Sequence, residues 1–266
     1  MDSRRLEILR ALDIDVWQRR DRVPAAVEES APAPVMRAVV SPPKVAPLVS
    51  PEPVRTRPVE VAPDIVVPER PPQVLPDVSG MDWDALSHTV RECTLCDLYK
   101  TRTQAVFGVG NRKAQWMVIG EAPGAEEDAR GEPFVGRAGQ LLNSMLRAIG
   151  LAREDVFIAN ILKSRPPSNR DPRPEEVRVC LPYLYRQIEL VNPRLILCVG
   201  RIAAQNLLNT TETIGKLRGR LHQIATARPM IVTYHPAYLL RSPAEKRKSW
   251  ADLVLAMQTF ERLGGA

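Results

Sequence analysis

The feature that most constrains the fold is an alternation that begins near residue 81. Short, almost wholly apolar runs alternate with longer stretches of helical character. The runs Trp116 to Ile119, Val156 to Ala159, Leu195 to Val199 and Met230 to Tyr234 read as strands buried on both faces. The pattern places strands at 116–120, 156–160, 194–199 and 230–234. Helices are expected at 82–92, 138–149, 174–191, 201–208 and 243–262. Strands alternating with helices predict an α/β fold, a parallel sheet covered on both sides. Such sheets present their binding groups at the carboxyl ends of the strands, so the residues that follow each run are where chemistry is expected.

Those residues are distinctive. Gly120 to Gly124 is a sharp turn carrying Glu121, and its glycines let a ligand approach the main chain. Phe134 lies in a loop between proline and glycine, where an aromatic ring can stack on a planar base or simply anchor the loop. Gly136 to Gly139 opens a helix whose amides could receive a phosphate. Asn160 ends the second run, and its amide offers a donor and an acceptor side by side. That pair matches the imide edge of uracil and matches cytosine less well. Lys163, Arg165, Arg170 and Arg173 follow among prolines, a stiff basic loop suited to a nucleic-acid backbone. His235 ends the last run, placed to donate to developing negative charge, with Arg241 downstream to contact phosphate. Leu239 and Leu240 are either a wedge into a base stack or the start of a core helix. A carboxylate, an amide and an imidazole at one rim suit chemistry on a small, uncharged, polar ring.

The rest of the chain is organised differently. More than half of its 25 prolines precede residue 80, and no aromatic residue lies between Pro24 and Pro76. Residues 21–78 therefore read as a disordered, proline-rich linker, unable to bury enough apolar surface to offset their ordering entropy. Residues 1–20 read as a short amphipathic partner-binding peptide, in which Leu9 and Leu12 with Leu6, Ile8 and Trp17 could form a short apolar face. Residues 79–266 form the expected folded domain. No run is long enough to span a membrane, and the N-terminus is charged at once, without a secretory apolar core. A cytoplasmic, nucleoid-associated monomer is expected. The net charge of +6 gives weak support for a polyanionic partner. In a reducing compartment the four cysteines are expected to be metal ligands or buried thiols rather than disulfides.

Taken together, GEAPG with EED, GEPFVGRAGQLL, the N-x-x-K-x-R-P-P-x-N-R loop and HPAYLLR resemble the iron–sulfur uracil-DNA glycosylases of family 4. The resemblance covers residues 81–262. It implies a three-layer α/β/α glycosylase fold with a central, mainly parallel four-stranded sheet, and removal of uracil from DNA by base flipping. By that resemblance Glu121 positions or activates the water, and Ala122 contributes a backbone contact to the base. Glu127 joins a hydrogen-bond network with Asn169. Phe134 stacks on the flipped uracil, Asn160 reads its polar edge and His235 stabilises the departing anion. Lys163, Arg165 and Arg241 would contact DNA.

The family's [4Fe–4S] cluster rests on four cysteines. Cys93, Cys96 and Cys180 match three of them, and Ser164 stands where the fourth is expected. The cluster therefore has an uncertain fourth ligand, with a three-cysteine zinc site as the rival. Cys198, inside an apolar run, reads as a buried thiol. Ser164 also motivates an alternative function, a damage-binding or replication-tethered protein with weak or lost catalysis. The spacing of Ser3, Arg4, Arg5, Leu9, Leu12, Ile14, Trp17 and Arg20 is similar to the N-terminal peptide of the psi subunit of bacterial DNA polymerase III. That similarity implies docking to the chi subunit.

Overall fold

A computed structural model describes residues 75–265 of the chain. The peptide expected at 1–20, with its chi-subunit partner, and nearly all of the linker expected at 21–78 lie outside the described residues.

The sheet has six strands. They are β1 (Val109–Gly110), β2 (Trp116–Gly120), β3 (Phe157–Asn160), β4 (Leu195–Val199), β5 (Leu221–Gln223) and β6 (Pro229–Thr233), in the order β1-β3-β2-β4-β6-β5. The inner four are parallel, with Val118 opposite both Ile158 and Leu197, and Leu197 opposite Ile231. These are the four expected strands, each within one residue of its expected bounds. The two antiparallel edges, β1 on β3 and β5 on β6, extend the expected four-stranded sheet to six. At two and three residues they are too short to carry a hydrophobic period.

Among the described residues eight α-helices surround the sheet: α1 (Trp83–Arg91), α2 (Ala125–Arg130), α3 (Arg137–Ala148), α4 (Pro174–Val191), α5 (Arg201–Leu208), α6 (Ile214–Leu217), α7 (Pro236–Arg241) and α8 (Lys246–Arg262). Alternate strand residues divide between two cores. Met117, Ile119, Phe157, Ala159, Ile196 and Cys198 face α4 and α5 through Cys180, Leu184, Ile188 and Ala204. Trp116, Val118, Ile158, Leu195 and Leu197 face α3 and α8 through Leu142, Met145, Leu146 and Leu253. Three layers result because each strand is apolar at odd and even positions alike. Each fully buried aliphatic or aromatic side chain here contributes about 1.5–3 kcal/mol.

The topology fixes where a site can form. The chain leaves β2 toward α3 on one face, and leaves β4 toward α5 on the other. Adjacent strands whose connections diverge in this way open a crevice at their carboxyl ends, here between Gly120 and Gly200.

Candidate active site

A cleft of about 430 Å³ occupies that crevice. Glu121, Ala122, Glu127, Phe134, Asn160, Asn169, His235 and Arg241 all line it. Four separate segments of the sequence thus meet as the strand-end rule expected.

The base of the cleft depends on close packing. A Cβ on Gly120 would lie 2.5 Å from Asn160 Oδ1 and 2.6 Å from Phe134 Cζ, so only glycine admits both side chains. A Cβ on Gly139 would lie 1.8 Å from the carbonyl oxygen of Phe134, so the first turn of α3 can press against that loop only through a glycine. Phe134 itself has φ 54°, a left-handed conformation that costs an aromatic residue about 1–3 kcal/mol. Glu127 holds it there. Its carboxylate accepts hydrogen bonds from the amides of Val135 (2.9 Å), Gly136 (3.1 Å) and Gly124 (3.1 Å).

This overturns one expectation and narrows another. Glu127 does not bond Asn169, because three backbone donors already engage its carboxylate. The Gly136 amide does not await a phosphate, because it is bound to that same carboxylate. Asn169 instead accepts from Arg165 Nε at 2.8 Å.

Asn160 is only 2% exposed, and its Oδ1 has no hydrogen-bond partner. Leaving a buried acceptor unsatisfied costs about 1–3 kcal/mol, so this atom is prepared for a donor that arrives in the cleft. The imidazole of His235 lies 5.6 Å from the Phe134 ring, at 30° to it. His235 is the N-cap of α7, and its Nδ1 accepts from the Ala237 amide at 3.1 Å. Burial, helped by the charge of Arg241, holds its pKa down to about 4. The ring is therefore neutral at pH 7. With Nδ1 accepting, the proton resides on Nε2. Glu121 shows the opposite shift. Burial raises its pKa to about 7, and the repulsion of Asp171 adds to that rise while Arg201 opposes it. The backbone of Glu121 is fixed beside Asn160, since its carbonyl accepts from the Leu162 amide at 3.0 Å.

The basic residues divide. Arg241 is exposed at the rim. Lys163 is 2% exposed and does not line the cleft. Its ammonium donates to the Asn160 carbonyl at 2.8 Å and to Gln187 Oε1 at 2.6 Å, and burial lowers its pKa to about 7. The expectation that Lys163 contacts DNA is therefore corrected. Three residues after a strand end the chain has turned inward, and α4 supplies a polar partner. Arg165 is likewise absent from the cleft lining, and Arg170 and Tyr238 are present there. Leu239 is buried in the core, which removes it as a wedge, while Leu240 is 37% exposed. The sequence reading missed the ion pair of Arg201 with Asp171 (3.1 Å) near Glu121. Arg201 directly follows the Val199-Gly200 strand end, so the strand-end rule applied evenly would have found it.

Behind the cleft, Cys93, Cys96 and Cys180 form one electrostatic neighbourhood. The Lys163 amide bonds the sulfur of Cys180, and the Leu98 amide that of Cys96. The Tyr183 hydroxyl donates to Cys93 Sγ at 3.3 Å. Backbone amides aimed at sulfur are what a bound thiolate requires, and three ligand positions fit an iron–sulfur cluster on that ground. Among the described residues no three His, Cys, Asp or Glu side chains are grouped to hold a single metal ion. Ser164 Oγ accepts from Arg102 Nη1 at 2.9 Å. Cys198 is fully buried in β4.

Comparison with known proteins agrees with this geometry. Residues 107–255 match the model of the Uracil DNA glycosylase superfamily. A type-4 uracil-DNA glycosylase of Archaeoglobus fulgidus is 48% identical over 179 residues, covering 64% of this chain and 90% of that protein. A type-4 enzyme of Pyrobaculum aerophilum is 44% identical over 182 residues, covering 66% and 93%. A type-5 enzyme of the same organism is 33% identical over 147 residues, covering 49% and 64%.

Proposed function

The chain belongs to the uracil-DNA glycosylase superfamily and, within it, to the type-4 enzymes, and from that premise we propose how its cleft removes uracil. The protein is a monofunctional uracil-DNA glycosylase, a hydrolase that cleaves the N-glycosidic bond of uracil in DNA and leaves an abasic site.

The observation that carries the mechanism is the unpaired Asn160 Oδ1 at the base of the cleft. Uracil carries an N–H at N3, and this oxygen accepts a hydrogen bond from it. Cytosine has a lone pair at N3 and would meet the acceptor with repulsion. Phe134 supplies the face on which the flipped base stacks, and the Ala122 amide contacts its edge. As the bond breaks, the electron pair stays with the base and the sugar becomes cation-like. The neutral His235 donates from Nε2 to the oxygen where negative charge grows, and keeps its proton throughout. Ionised Glu121 orients the attacking water and takes its proton as oxygen bonds to the sugar carbon. Glu127 acts indirectly, holding Phe134 in its left-handed conformation. Asn169 and Arg241 at the rim receive the flanking strand, and Arg165 steadies Asn169.

Cys93, Cys96 and Cys180 would hold an iron–sulfur cluster, with Ser164 standing in the sequence where the fourth ligand is expected. Such a cluster would tie the segment around residues 93–102 to α4, a structural role, since hydrolysis requires no electron transfer. Ser164 does not line the cleft, so its presence leaves the catalytic groups in place.

The test is uracil release from a uracil-containing single-stranded oligonucleotide by anaerobically purified protein, with the Glu121→Ala, His235→Ala double variant as control. Release by the wild type alone supports the assignment, and equal release by both overturns it. Iron and zinc content of the wild type and of Cys180→Ala tests the cluster. Zinc in place of iron would refute it.

A further inference from the structure

A second, larger groove of about 840 Å³ lies on the other side of the loop that carries Phe134. Gly131 and Glu132 line this groove, and Phe134, two residues on, lines the catalytic cleft. The groove runs from the end of α2, past residues 102–110, to α1 and the open edge of β1. Thr103 and Gln104 fasten its wall to α2 by bonding Asp128 and the Ala129 carbonyl. The Val106 amide bonds the Lys163 carbonyl at 2.7 Å, which places this wall at the carboxyl end of β3, the same rim as the catalytic cleft.

Its chemistry is strongly one-sided. Arg91, Arg112 and Arg130 are exposed along it and Arg102 also lines it, against the carboxylate of Glu132 in the lining and that of Asp84, which pairs with Arg112 at 3.5 Å. Arg112 sits over the Trp83 ring at 5.1 Å, and Tyr99 is 40% exposed. Guanidinium groups spaced along a channel with an accessible aromatic ring are the elements that track a single strand: cations for phosphates and a ring face for a base. The type-4 reading assigns no role to these residues.

We propose that this groove binds the single-stranded segment flanking the uracil, so that the substrate strand leaves the catalytic cleft across the 131–135 loop and continues along Arg130, Arg91 and Arg112. The proposal rests on the reading of DNA as substrate. It adds that affinity for a long strand is set largely outside the catalytic cleft. A substrate too short to reach the groove would be cleaved but bound weakly.

The experiment compares full-length wild type with the Arg91→Ala, Arg112→Ala, Arg130→Ala triple variant. All three are surface side chains, and a thermal melt by circular dichroism establishes that the variant is folded. Binding is measured by fluorescence anisotropy on an oligothymidylate of about 20 nucleotides, within the span that a basic stacking groove plus a cleft can cover. This strand has no uracil, so the binding result stands whatever the outcome of catalysis. The variant is expected to bind it at least about tenfold more weakly, with a salt slope smaller by about 2, the loss of three single-strand phosphate contacts. Tyr99→Ala alone should weaken binding without changing the slope. Uracil release is then measured on a substrate of about five nucleotides, which fills the cleft only, and there wild type and variant should be equal. Wild-type affinity and salt slope in the triple variant would overturn the groove, even while uracil release continues. An acidic peptide that binds the wild type but not the variant, with oligothymidylate affinity unchanged, would also overturn it and hand the groove to a protein partner.

Discussion

Replacing Glu121 by Gln should make the protein more stable and less active, and the gain in stability should depend on pH in a defined way. In the unfolded chain this carboxyl ionises near 4.5, and in the fold near 7. Below about 4.5 both states hold the proton, so burial costs nothing. As pH rises toward 7 the unfolded chain gives up the proton and the folded one keeps it, so stability falls across that window and stays low above it. The full difference corresponds to about 3 kcal/mol. Solvent at the cleft mouth screens part of it, which leaves about 1–2 kcal/mol. Urea unfolding followed by tryptophan fluorescence at pH 4.5, 6 and 8 reads this directly through the linear dependence of stability on denaturant. The wild type should lose ground to Glu121→Gln between pH 4.5 and 8 by roughly that amount. The same carboxylate, acting as base, makes wild-type kcat/KM rise with pH through about 7, and Glu121→Gln should abolish the rise. A stability gap between the two proteins that is identical at all three pH values would refute the reasoning, because it would mean that the buried group ionises as it does in water.

Asn160→Asp should lower kcat/KM for uracil by at least about a hundredfold, since a carboxylate cannot donate to the imide oxygens, and single-turnover release on one oligonucleotide measures it. Gly139→Ala should reduce uracil release more than stability. Its new methyl meets the Phe134 carbonyl, and the loop moves at a cost of about 1–3 kcal/mol, read by comparing chemical denaturation with turnover. Asp252 is wholly buried, paired with Arg218 at 2.9 Å and bonded by Thr233 Oγ1 at 2.9 Å at the end of β6. Asp252→Ala should therefore cost about 3–5 kcal/mol in urea unfolding, because Arg218 keeps a charge without its partner.

Much of this was legible beforehand. The four parallel strands and five main helices fell within a few residues of their expected bounds, because buried strands and amphipathic helices leave local periods in the chain. The short elements β1, β5, α2 and α6 were not legible. They carry neither a continuous apolar run nor a repeating apolar face, and they form where neighbouring elements offer partners. In the cleft, Glu121, Asn160 and His235 were legible because each sits at or just past the end of a buried apolar run, and Phe134 because it is a loop aromatic next to a proline. Lys163 and Glu127 were misjudged for a common reason. A charged residue in a loop reads as solvated, and nothing in its neighbours along the chain announces Gln187, 24 positions away, or the three amides that converge on Glu127. The basic groove escaped notice because Arg91, Arg112 and Arg130 are scattered through three segments and form no run.

The sequence by itself determined the α/β architecture, the order of the motifs and the residue types at the rim. These follow from hydrophobic period and turn chemistry, which act over a few residues. Tertiary structure alone decided the protonation of the site: a neutral His235 with its proton on Nε2, a Glu121 that titrates near 7, and a lysine locked beneath Asn160. Protonation answers to desolvation and to the charges that packing brings close, and both are set by contacts between residues far apart in the chain.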